Sequence, residues 1–80
     1  MTNVLVSPIE AELLSLQVIA EYLRACNVDD IEDAPNYLMK LISMASVNMA
    51  SVCGIPDTIA RLEGTASFIS SLAELRGTLH

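Results

Sequence analysis

Basic and aromatic side chains are scarce in this 80-residue chain, which sets four Lys or Arg against ten Asp or Glu. The resulting net charge of −6 argues against non-specific attraction to nucleic acid or anionic lipid, which needs clustered cations. Tryptophan is absent, and Tyr22, Tyr37 and Phe68 are the whole aromatic complement. That is too few rings for the stacking platforms that hold single-stranded nucleic acid. Histidine occurs once, at His80, so no Ser/His/Asp or Cys/His set assembles for nucleophilic catalysis. The three glycines are scattered and form no phosphate-cradling loop. Cys26 and Cys53 are too few for a disulfide scaffold and lack zinc spacing. They read as free thiols of a reducing compartment. The expectation is a non-enzymatic protein without cofactor or metal.

The opening MTNVLVSPIEAE has neither a basic segment nor a long apolar core, so no secretory signal is expected and the expected location is cytoplasmic. Charge is also missing from Leu41 to Pro56, sixteen residues that contain Asn48 and three serines. A bilayer span needs about 20 apolar residues, so this stretch is read as a buried helix.

What the chain has in quantity is aliphatic surface. Hydrophobic residues make up 52% of it, supplied by Leu, Ile, Val, Ala and Met rather than by aromatics. Such a mixture favours helix over strand and is the opposite of a disordered composition. Eighty residues make one domain, spanning 1–80. A monomer of this size buries only about 60–65% of the surface its unfolded chain exposes.

Three helices are expected, at about 8–26, 34–53 and 56–76, preceded by a tail or apolar arm over 1–6. Ser7-Pro8-Ile9-Glu10 is a start signal, with Ser7 as N-cap, Pro8 in the first turn and Glu10 closing a capping box. In helix 1, Ile9, Leu13, Leu16, Ala20 and Leu23 form one apolar stripe. Ala11, Leu14, Val18, Ile19 and Tyr22 form a second, leaving Glu10, Gln17, Glu21 and Arg24 as a narrow polar strip. Asp33 is the expected N-cap of helix 2, with Asp29 or Asp30 capping a short turn before it. Helix 2 gathers Leu38, Leu41, Ile42, Ala45, Met49, Val52 and Cys53 on its main face and stops at Gly54. A short link through Ile55-Pro56-Asp57 implies an antiparallel hairpin with helix 3, which Gly77 would end. Gly64, with Ala60, Ser67 and Ser71, forms a small-residue ridge suited to close helix packing. The expected fold is all-α, a small three-helix bundle built on an antiparallel α-hairpin and completed by self-association.

Three sets of residues carry the functional expectations. Asp29, Asp30, Glu32 and Asp33 form the one dense polar cluster, suited to docking on a basic protein surface or, more simply, to capping helix 2. Leu14, Val18, Tyr22, Met39, Met44 and Val47 lie on faces with almost no charge and are the expected self-association surface. Arg61 and Arg76 flank Phe68, Leu72 and Leu75 and would hold a small anionic ligand over an apolar floor. The simpler expectation for these arginines is pairing with Glu63 or Glu74. The leading reading is a homo-oligomeric protein–protein interaction module, of the small acidic kind that phages use to inhibit host or defence proteins. The alternatives are an oligomeric sponge for a small anionic ligand such as a nucleotide, and a structural assembly subunit.

Overall fold

A computed structural model describes residues 4–79, with side chains as far as residue 75. These residues are all-α: α1 spans Pro8–Ala25, a 3-10 turn Ile31–Asp33 leads into α2 at Ala34–Cys53, and α3 spans Ile55–Leu79. The chain divides into two compact units, Met1–Ile42 and Ser43–His80, with α2 contributing to both.

In the first unit, Ser7 caps α1 as its sequence requires, its hydroxyl accepting from the Glu10 N–H at 3.2 Å. Termination of α1 depends on Asn27, whose φ of 59° is left-handed. Asn27 N–H donates to the Arg24 carbonyl and Val28 N–H to the Leu23 carbonyl, both at 3.0 Å. This is the double hydrogen bond of a Schellman stop, with asparagine in place of the commoner glycine. The next start signal falls on Asp30. Its carboxylate accepts from the Glu32 N–H at 3.0 Å, and its carbonyl accepts from the Asp33 N–H at 3.0 Å. Asp30 thus caps the short turn expected before α2, while Asp33, expected as the N-cap of helix 2, lies inside that 3-10 turn. Half-buried residues mark the packed faces: Ile19, Tyr22, Leu23 and Cys26 on α1, and Ala34, Leu38 and Leu41 on α2. Their spacings of three and four keep each set on one side of its helix. The Tyr22 hydroxyl donates to the Tyr37 carbonyl at 2.8 Å and ties α1 to the first turn of α2.

In the second unit, one residue joins two helices. Gly54 has φ 89°, and its N–H closes α2 on the Ala50 carbonyl at 2.9 Å. Its own carbonyl opens α3, accepting from the Thr58 N–H at 3.1 Å and the Thr58 hydroxyl at 2.8 Å. Helix 3 thus begins at Ile55, one residue before Pro56, and runs through Gly77 to Leu79 rather than ending at 76. A helical glycine costs only about 1 kcal/mol, too little to stop a helix by itself. Thr58, 5% exposed, is the one buried side chain among the described residues, and no described hydrophobic residue is buried. From Ile59 to Leu75 every residue of α3 is exposed. That includes Gly64, where an added Cβ would meet nothing within 4 Å.

The two mid-chain glycines should respond oppositely to Ala. Gly54→Ala forces a side chain into left-handed backbone and should cost about 1–2 kcal/mol, although its Cβ would come no nearer than 4.0 Å to Pro56 Cδ. Gly64→Ala should instead add up to about 1 kcal/mol of helix stability. Urea unfolding of the two variants checks both signs.

Candidate interaction surfaces

The acidic turn is the most sharply built polar feature. Asp29, Asp30, Glu32 and Asp33 are all exposed. One of the four, Asp30, has its carboxylate occupied as a cap. Sequence reading missed Ile31, which stands 84% exposed at the centre of this cluster. An apolar side chain ringed by carboxylates has the make-up of a docking contact, with an anchor at the centre and charge at the rim. The signal was present as the lone apolar residue within Asp29-Asp30-Ile31-Glu32-Asp33. Among the described residues no group of three or more His, Cys, Asp or Glu is placed to hold a metal ion.

The expected self-association positions are mostly exposed. Leu14, Val18, Met39, Met44 and Val47 lie in the open, and Val18 and Met44 are 53% and 62% exposed. Tyr22 is half-buried, with its hydroxyl committed to Tyr37 within the chain. Its phenol is held above the ordinary tyrosine value of 10.0, first by partial desolvation and then by its neighbour Cys26. Beside the N-cap of α1, Val6 joins Glu10, Leu13, Leu14 and Gln17 in lining an open groove. Cys26 and Cys53 are free thiols. The Cys53 sulfur lies 3.5 Å from the Thr58 hydroxyl, inside the link between α2 and α3.

On α3, Phe68, Leu72 and Leu75 are exposed as an apolar floor would need to be. Arg61 is not an uncommitted cation: its Nε donates to the Asp57 carboxylate at 3.2 Å. Asp57 sits one turn before Arg61, the acid-first arrangement that helices favour, whereas Glu63, two residues on, points to another side. The pair lowers the Asp57 carboxyl below its ordinary 3.8, chiefly through the hydrogen bond from Arg61 and next through the Cys53 thiol. The Arg76 side chain, the second cation expected at this floor, lies outside the described residues, as does His80.

Among the described residues no helix is long and apolar enough to cross a membrane. Comparison with protein-family models, curated proteins and solved structures finds no match to any of the three.

Two of the shifted groups, Asp57 and Tyr22, predict opposite pH responses. Asp57 is depressed, so its contribution is present above the unfolded aspartate value and is lost as pH falls through the lower folded value. Asp57→Asn should lower the melting temperature slightly at neutral-to-alkaline pH, where the contribution is present, and flatten the loss of stability on acidification. Tyr22 is raised, so its contribution holds below the ordinary tyrosine value and fades as pH rises through the higher folded value. Tyr22→Phe should lower the melting temperature at pH 7 and flatten its alkaline decline. Thermal unfolding from pH 2 to 11 reads both effects.

Proposed function

We propose that this protein is a non-enzymatic helical interaction module. It completes its bundle by self-association through the apolar faces of α1 and α2 and offers its acidic turn to a basic protein surface. The carrying observation is that no described hydrophobic side chain is buried within the chain. In this assembly the acidic turns with Ile31 stay at the surface. The charge of −6 then speeds approach to a cationic partner. The free thiols fit a cytoplasmic setting. Inhibition of that partner by occlusion is the mode of action open to a small binder without catalytic groups.

A second reading, binding of a small anionic ligand by Arg61 over Phe68 and Leu72, draws on the exposed floor of α3. It requires the ligand to displace Asp57 from Arg61, which places it second.

Multi-angle light scattering at micromolar concentration should return a dimer or larger species, and a stable, fully helical monomer would refute the reading. Met44→Glu should shift that mass downward, while Ser70→Glu on α3 should not. For the acidic turn, the triple change Asp29→Asn, Asp30→Asn, Glu32→Gln should weaken retention on an immobilised basic protein such as a histone at least tenfold at 150 mM salt. Unchanged retention would leave the cluster as a capping and solubility feature.

A further inference from the structure

No further inference is drawn: the strongest candidate, the side-chain cluster of Cys53, Asp57, Thr58 and Arg61 at the link between α2 and α3, spends its polar groups on one another and on the Gly54 carbonyl, and nothing in the structure points to a ligand or modifying group for its single thiol.

Discussion

A chain with 52% hydrophobic residues and no buried hydrophobic side chain among those described is governed by unmet burial. Apolar surface left in water forfeits about 25 cal/mol for every Å², and ordering each residue costs about 1–2 kcal/mol of backbone entropy. Helix propensity does not close that gap, because isolated helices of 18 to 25 residues are marginal in water without tertiary packing. In the proposed reading a second copy would supply the surfaces that these helices lack. Helix faces, link and acidic turn all take their meaning from this constraint.

The polar chemistry of the chain is concentrated where helices stop and start. Ser7, Asn27, Asp30, Gly54 and Thr58 each satisfy backbone groups that a helix end would leave without partners. Thr58 is the extreme case, since its hydroxyl joins its own N–H on the Gly54 carbonyl and becomes the one buried side chain described. Helix boundaries are thus fixed by local hydrogen bonds, while the apolar faces between them hold no buried side chain among the described residues. Under the proposed self-association such preformed parts would limit the ordering cost of association.

The helices themselves were legible in the sequence because caps and stops are local chemistry. Ser7-Pro8 and Gly54 mark real boundaries. Asn27 was harder to read, since asparagine enters left-handed backbone less readily than glycine and carries a weaker signal. Asp30 was legible as the cap of a short turn before α2, whereas Asp33 was read as a cap and lies inside that turn, because any of several neighbouring acids can cap and the 3-10 turn decides between them. Gly64 is open on its helix, because a ridge of small residues permits close packing without requiring it. Of the candidate surfaces, the acidic cluster was visible as composition. Ile31 within it went unread because one apolar residue has no periodicity. The Asp57–Arg61 pair follows from spacing alone and shows why a lone arginine beside an apolar patch is a weak sign of a ligand.

Functional meaning therefore attaches to faces rather than to a pocket of reactive groups. In the proposed reading the apolar arcs of α1 and α2 would supply adhesion and the acidic turn long-range attraction, two roles that depend differently on salt. The central claim, that folding is completed by association, is tested most directly by the melting temperature as a function of protein concentration. If stability is shared between copies, the melting temperature must rise steadily as concentration increases from about 1 to 100 μM, by mass action. A melting temperature that stays constant over that range, with a monomer's mass throughout, would contradict the account.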